Sequence, residues 1–95
     1  MCMDANYEPI EKEAIAQLRF PLTDVLDQEQ AILKRKTDLE RAQALGNLEH
    51  GKIRIYFEDD QSKKMVETTV WAVTDQSVIL KQGVGIPINR IYASV

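Results

Sequence analysis

The spacing of apolar residues changes near the middle of the chain, from a helical period before Gly46 to strand-like alternation after Gly51. Pro9 suits the first position of a helix. The apolar stripe that follows it consists of Ile10, Ala14, Ile15 and Leu18. Because Pro21 disfavours helical geometry at the residue before it, this first helix is predicted to end near Arg19.

A second helix is predicted to begin near Thr23 or Asp24, since either side chain can accept a hydrogen bond from the unpaired N–H groups of a first turn. It is predicted to run through Leu45. Gly46 and Asn47 are expected to close it, because glycine adopts the left-handed conformation of a helix C-cap without a steric clash.

This second helix is long for a chain of 95 residues. About 22 residues make a rod of about 33 Å, compared with about 30 Å for the diameter of a compact domain of this size. A seven-residue step places Val25, Ile32 and Leu39 on one line. Two interpretations stay open: the helix packs only on its own domain, or it also pairs with a second copy through Val25, Ile32 and Leu39.

Strand patterns fill the second half of the chain. The predicted strands are 52–58, 65–74, 78–81, 84–88 and 91–95, and a single turn, Ile88-Asn89-Arg90, is predicted to lead into the last of them. The second strand is apolar on both faces and is expected to coil strongly, and Pro87 fits an edge or the end of a strand. The predicted fold class is therefore α+β, with an N-terminal helix or helices followed by a five-stranded antiparallel β-barrel. The predicted single domain divides into a mobile tail (1–8), a helical part (9–46) and the barrel (52–95).

Three segments resemble known families. The closing stretch LKQGVGIPINRIYASV resembles that of SH3-like and Sm-like barrels, which implies a fold and says little about function. The stretches GNLEHGKIRIYFEDD, VETTVWAV and GIPINRI resemble small bacterial proteins that carry no assigned activity. Tyr7-Glu8-Pro9-Ile10 resembles the opening of the Rho-binding antiterminator family, acidic Sm-like barrels that bind the termination factor. Lys12 stands where that family has a cysteine.

The composition is that of one small globular domain: 95 residues, 44% hydrophobic and 28% charged, with a formal net charge of −3. One cysteine and one histidine cannot build a disulfide framework or a Cys/His zinc site. No window approaches twenty apolar residues, and the N-terminus lacks the pattern of a signal peptide. We therefore expect a cytoplasmic protein.

Few residues offer catalytic chemistry. Cys2 has no evident base to activate it, and His50 is a lone histidine in a loop. The adjacent acids at 58–60 have the residue types of a solvated turn and lack the spacing of a calcium loop. The sequence predicts a protein that is not an enzyme and that holds neither a cofactor nor a metal.

Glu67 is a carboxylate inside an apolar strand pattern. If that face of the strand is covered, the carboxylate needs a basic partner such as Arg54 or Arg90. An ion pair is favoured over a general base, because no histidine or second acid accompanies Glu67 in the sequence.

Aromatic and basic residues of the strands are the candidate binding residues. They are Arg54, Tyr56, Trp71, Arg90 and Tyr92. Two interpretations stay open for the aromatic ones: Trp71 and Tyr56 form a platform on which the N-terminal helices pack, or they form a stacking surface.

The predicted function is a non-enzymatic binding or regulatory module that acts through protein–protein contacts and self-associates through the second helix. The alternative is RNA or single-stranded nucleic-acid binding by the barrel face, or binding to a transcription or RNA-processing factor. The net charge of −3 is weakly repulsive to phosphate and disfavours the nucleic-acid alternative.

Overall fold

One α-helix and seven short strands build the fold of residues 7–49 and 51–94, the residues that the computed structural model describes. The helix is α1 (Glu29–Glu49). The strands are β1 (Glu8–Pro9), β2 (Ile53–Glu58), β3 (Lys63–Thr68), β4 (Val70–Val73), β5 (Ser77–Leu80), β6 (Gly85–Pro87) and β7 (Ile91–Ser94). Short 3₁₀ helices occupy Lys12–Gln17, Lys81–Gly83 and Ile88–Arg90. Cys2, His50 and the first six residues of the predicted tail lie outside the described residues.

The strands form two separate sheets. A four-stranded sheet has the order β1-β3-β2-β7, and a three-stranded sheet has the order β4-β5-β6. The β2–β3, β2–β7, β4–β5 and β5–β6 pairs are antiparallel, and β1 pairs with β3 in parallel. The 3₁₀ turn predicted before the last strand is present, and Pro87 lies on β6, at an edge of its sheet, as predicted.

The predicted five-stranded SH3-like or Sm-like barrel is wrong, because the hydrogen bonding of the described strands does not close into a ring. The long second strand breaks at Thr69, so that β3 belongs to one sheet and β4 to the other. Neither β6 nor β7 pairs with the opposite sheet. The strand β6 has only three residues, which limits the pairing that it can offer.

The first predicted helix is also wrong. Pro9 lies in β1, and the N–H of Ile10 donates to the carbonyl of Met65, which holds this part of the chain extended against β3. Only Lys12–Gln17 turns into a 3₁₀ helix, where the side chain of Ile15 is buried. Tertiary pairing with β3 therefore overrides the helical stripe.

The helix α1 begins five residues later than Asp24, the later of the two predicted starts. Residues 18–28, here called the strap, cross the fold before it. The Asp24 carboxylate does accept a hydrogen bond from a backbone N–H, that of Leu26, but in a turn of the strap. The N–H of Val25 donates to the carbonyl of Asn89, at 2.9 Å. These contacts hold the strap out of helical geometry.

The predicted helix end at Gly46 and Asn47 is wrong, since α1 continues to Glu49. Gly46 is buried inside the helix, where α1 meets β4. A Cβ at Gly46 would lie 2.1 Å from the carbonyl oxygen of Val70. The glycine is present because the helix and the strand touch, not because the helix stops.

The core lies between the two sheets, and α1 covers one gap between them. The helix packs against β4 and β7, which are edge strands of the two sheets. The N–H of Val73 on β4 donates to the side-chain oxygen of Gln43, and the Arg35 guanidinium donates to the carbonyl of Ile91 on β7. Polar side chains of α1 thus form hydrogen bonds with backbone groups on the edge strand of each sheet, as the backbone of a neighbouring strand would.

Candidate binding surfaces

The structure separates the five predicted binding residues. Arg54 and Tyr56 alternate with the buried side chains of β2, so both lie on the outer face of the four-stranded sheet, with Tyr92 of β7 beside them. Trp71 lies on the three-stranded sheet. Arg90 is buried between the strap and the β2–β3 hairpin. The five residues therefore do not form one patch.

Arg90 has a structural role. Its guanidinium donates to the carbonyl oxygens of Glu58 and Thr23, at 3.1 and 2.8 Å, and its exposed fraction is 7%. The side-chain amide of its neighbour Asn89 donates to the carbonyl of Leu22. These bonds fasten the strap to the hairpin, and they leave Arg90 little surface with which to meet a ligand.

Three tyrosines cluster on the outer face of the four-stranded sheet. The ring of Tyr7 lies 4.9 Å from that of Tyr56 and 5.9 Å from that of Tyr92, with steep interplanar angles of 66° and 73°. Tyr56 is buried. One interpretation of the sequence placed Tyr56 beneath the N-terminal helices. In the structure the N-terminal segment does cover Tyr56, but the residue in contact with its ring is Tyr7, which precedes β1 and is not part of a helix.

Glu58 shapes the electrostatics of this tyrosine cluster. The hydroxyl of Tyr92 donates to the Glu58 carboxylate. Burial, with this hydrogen bond and the negative charge of Glu58, raises the pKa of Tyr92 to about 12. Burial and the same carboxylate also raise the pKa of Tyr7. Both phenols are therefore neutral at physiological pH, and the negative charge of the cluster belongs to Glu58.

Trp71 is held partly outside the fold by a β-bulge. Val70 pairs with Leu80 and Ala72 pairs with Ile79, so Trp71 is the extra residue of β4. Its side chain is 49% exposed, whereas Val70 is fully buried. The bulge also brings Ala72 to the outer face and returns Val73 towards the core, the reverse of simple alternation.

Further apolar residues surround Trp71 on the outside of the three-stranded sheet. Cross-strand partners share a face, and the register joins Ala72 to Ile79, Ile79 to Gly85 and Ser77 to Pro87. We call this surface the Trp71 face; it consists of Trp71, Ala72, Ile79 and Pro87. Its members other than Trp71 are half-buried.

The predicted oligomer interface is dispersed. Val25 belongs to the strap, outside α1, and Ile32 is half-buried beside a cleft. Leu39 is 1% exposed and belongs to the core of its own chain. The exposed leucines of α1 are Leu33 and Leu48. Self-association of the chain stays a prediction, but these three residues do not form an exposed stripe that could carry it.

One buried ion pair was not predicted from the sequence. Asp59 and Lys64 are both buried, with a distance of 3.0 Å between the Lys64 ammonium and the carboxylate. Burial alone would raise the pKa of Asp59, but hydrogen bonds from the Ser62 N–H, the Lys64 ammonium and the Gln61 N–H hold it below its usual value. The expected solvated turn is thus organised around a buried acid. The aspartate in this turn was the sequence feature that could have indicated its hydrogen bonding, because aspartate commonly accepts hydrogen bonds from backbone N–H groups two and three residues ahead.

A second ion pair anchors the strap to α1. The guanidinium of Arg35 donates to both carboxylate oxygens of Asp24, each at 2.8 Å, and its side chain is almost fully buried. The hydrogen bond from Arg35 lowers the pKa of Asp24. Sequence reasoning gave Arg35 no partner, because Asp24 is eleven residues away and lies outside the helix.

Glu67 is exposed and lies directly opposite Arg54 in the register of β2 and β3, so one of its two expected partners is adjacent. In the described part of the chain, no group of three or more His, Cys, Asp or Glu residues could hold a metal ion. Two clefts, of about 410 and 480 Å³, flank α1, and neither is lined by a predicted binding residue.

The helix α1 is no membrane span. Within residues 7–49 and 51–94, no helix combines the length and apolar character that crossing a bilayer requires. Comparison with family models, with curated proteins and with solved structures gives no match to this chain.

Proposed function

We propose that this chain is a non-enzymatic binding module that contacts a protein partner through the Trp71 face. The observation that carries the proposal is the half-exposed tryptophan in the bulge of β4. Tryptophan dominates the binding energy of many protein interfaces, since it buries a large area at a low cost in side-chain entropy.

The surroundings of Trp71 support a protein partner. Ala72, Ile79 and Pro87 extend the apolar surface over all three strands of the sheet. Trp71 lies outside the buried core cluster, and about half of its surface is exposed to solvent. Contiguous apolar surface of this kind is typical of interaction sites, and bulges commonly re-aim a side chain at such sites.

The alternative, nucleic-acid binding, has less support. Of the five aromatic and basic candidates, Tyr56 and Arg90 are buried. Arg54 and Tyr92 lie on the other sheet from Trp71. The five candidates therefore do not form one surface on which the bases of a single-stranded nucleic acid could stack.

The test compares binding partners of matched variants. The wild-type chain, Trp71→Ala and Leu22→Ala are immobilised and exposed to lysate, and each recovered protein is quantified. Leu22 is the control because it is a large apolar residue, 93% exposed, on the strap. We expect a partner whose recovery falls at least about tenfold with Trp71→Ala and is unchanged with Leu22→Ala.

Two results would contradict the proposal. One is the same set of proteins recovered by Trp71→Ala and the wild type, with both variants folded by circular dichroism. The other is saturable quenching of Trp71 fluorescence by single-stranded RNA at physiological salt, which would favour the nucleic-acid alternative.

A further inference from the structure

The ammonium group of Lys63 lies over two tyrosine rings at one end of the four-stranded sheet. It is 5.3 Å from the ring centroid of Tyr92 and 5.9 Å from that of Tyr7. Lys63 and Glu58 are cross-strand partners, and Tyr92 donates to Glu58 from the far side of β2. Three strands therefore contribute to one row of side chains, with Tyr7 above it.

The two rings form the walls of an aromatic cage. Tyr7 and Tyr92 meet at 73°, so their faces converge from two directions on the space that the ammonium occupies. Tyr7 is supported from the side by Tyr56, which is buried. The carboxylate of Glu58 adds a negative charge beside Tyr92. Aromatic faces with an adjacent carboxylate are the chemistry that recognises organic cations.

Lys63 fills this cage only loosely. Both centroid distances approach the outer limit of about 6 Å for a cation–π contact. Lys63 is exposed, and its ammonium makes no hydrogen bond or ion pair with residues 7–49 or 51–94. A primary ammonium at the surface also keeps much of its hydration, which weakens its attraction to the rings. A cation that is larger and less hydrated would contact both rings better.

We propose that Tyr7, Tyr92 and Glu58 form a binding site for a methylated alkylammonium group, which displaces the ammonium of Lys63. Methyl groups lower the cost of removing the cation from water and fill the distance that separates Lys63 from the rings. An unmodified lysine would gain nothing over Lys63. The site lies on the other sheet from the Trp71 face, so it stands apart from the function proposed above.

The experiment follows the ring signals of Tyr7 and Tyr92 by NMR during titration of the full chain. The probes are choline, trimethyllysine amide and 3,3-dimethylbutan-1-ol, the neutral isostere of choline. We expect saturable shifts with the two cations and none with the alcohol. A tighter response to trimethyllysine points to a modified protein as the source of the cation, and one to choline points to a small molecule.

Variants separate the cage from general electrostatics. Lys63→Gln empties the cage, and we expect it to tighten choline binding about fivefold. Lys81→Gln removes the same charge from an exposed site elsewhere and should change the affinity less than twofold. Tyr92→Leu should abolish the shifts at Tyr7, whereas Tyr92→Phe keeps the ring and should retain them.

Three outcomes would overturn the site. They are no saturable shift with either cation, an equal response to the neutral isostere, or equal tightening in Lys63→Gln and Lys81→Gln. If Tyr92→Leu does not fold, Tyr7→Leu removes the other wall and serves in its place. Trp71→Ala should leave choline binding unchanged, so failure of this site and failure of the Trp71 face can be told apart.

Discussion

Buried charged side chains fix the positions of the strap and of the β2–β3 hairpin. Arg35, Lys64 and Arg90 are each at least nine-tenths buried. Arg35 and Arg90 bond to groups from distant parts of the chain, and Lys64 bonds to the Asp59 carboxylate within its own hairpin. A buried charge is costly unless it is paired, so each of these side chains fixes the position of its partner. In a fold with a small core, such bonds determine where the strap and the hairpin lie.

The buried pair in the β2–β3 turn gives an asymmetric prediction. Asp59 accepts hydrogen bonds from two backbone N–H groups as well as from Lys64. Asp59→Ala therefore leaves three donors without their acceptor and should lower the free energy of unfolding by about 3 kcal/mol. Lys64→Met leaves the buried carboxylate with its two backbone N–H donors but without its counter-charge, so we expect a smaller cost of about 2 kcal/mol. Urea denaturation measures both, and equal costs would contradict the role assigned to Asp59.

Asp24 gives a prediction about pH. Its pKa in the folded chain is lowered from 3.8, chiefly by the hydrogen bond from Arg35. A carboxyl whose pKa is lower in the folded state stabilises the fold above its unfolded-state pKa, and this contribution is lost as the pH falls through the folded value. We expect Asp24→Asn to lower the free energy of unfolding at pH 7 by about 2 kcal/mol and to flatten its decline below about pH 4.

Urea denaturation at a series of pH values measures this contribution. Asp27→Asn is the matched control, since it removes an exposed carboxylate from the same strap. An acid decline as steep in Asp24→Asn as in the wild type would show that the pair with Arg35 does not contribute to the pH dependence.

At the scale of elements, α1 depends on close contact with β4. The burial pattern of the helix shows which of its faces is turned to the core. The buried residues, at helical spacing, are Arg35, Leu39, Ala42 and Gly46, and the other described positions are half-buried or exposed. The small residues at 42 and 46 let the helix approach the strand backbone. A larger side chain at either position would push the helix away from the two sheet edges that it covers.

Gly46→Ala tests the close contact between α1 and β4. At an exposed helical position, alanine would stabilise the chain by about 1 kcal/mol relative to glycine. Because a Cβ here would lie 2.1 Å from the carbonyl oxygen of Val70, we expect a net destabilisation of about 2 kcal/mol. Thermal denaturation by circular dichroism measures the sign. The control is Asn47→Ala, an exposed neighbour, which should raise stability by about half a kcal/mol.

At the scale of the whole molecule, the length of α1 no longer requires a second subunit. Its 21 residues span about 31 Å, and the molecule measures 32 × 30 × 28 Å. The helix therefore fits the fold, with the gap between two sheet edges to cover. The length of the helix is therefore no longer an argument for self-association. Self-association stays a prediction, and sedimentation at micromolar concentration tests it.

Leu39 provides a test at the same scale. A carboxylate at this buried position would lie in the core beneath α1, so we expect Leu39→Asp to cost more than about 4 kcal/mol and to unfold the chain. Leu33→Asp is the matched control, since Leu33 is 57% exposed on the same helix. Circular dichroism distinguishes them. A folded Leu39→Asp chain with a changed sedimentation coefficient would restore Leu39 to an intermolecular interface.

Much of the strand content follows from local chemistry and could be predicted. Alternation in β2, the turn after β4 and the φ of 85° at Gly83 in the turn before β6 all depend on neighbouring residues. The predicted binding residues fared less well, since Tyr56 and Arg90 are buried by the tyrosine cluster and the strap. The residues that bury Tyr56 and Arg90 belong to segments about 50 to 70 residues away along the chain.

The sequence by itself determined one long helix ahead of β2, the approximate positions of most strands from β2 to β7, the edge placement of Pro87 and the turn before β7. These features depend on side-chain periodicity and on backbone preferences of single residues. Only the tertiary structure decided that the long strand breaks at Thr69, that Gly46 lies within α1 and that the first helix gives way to β1. In each case a contact between distant segments outweighs a local preference of about 1 kcal/mol or less per residue.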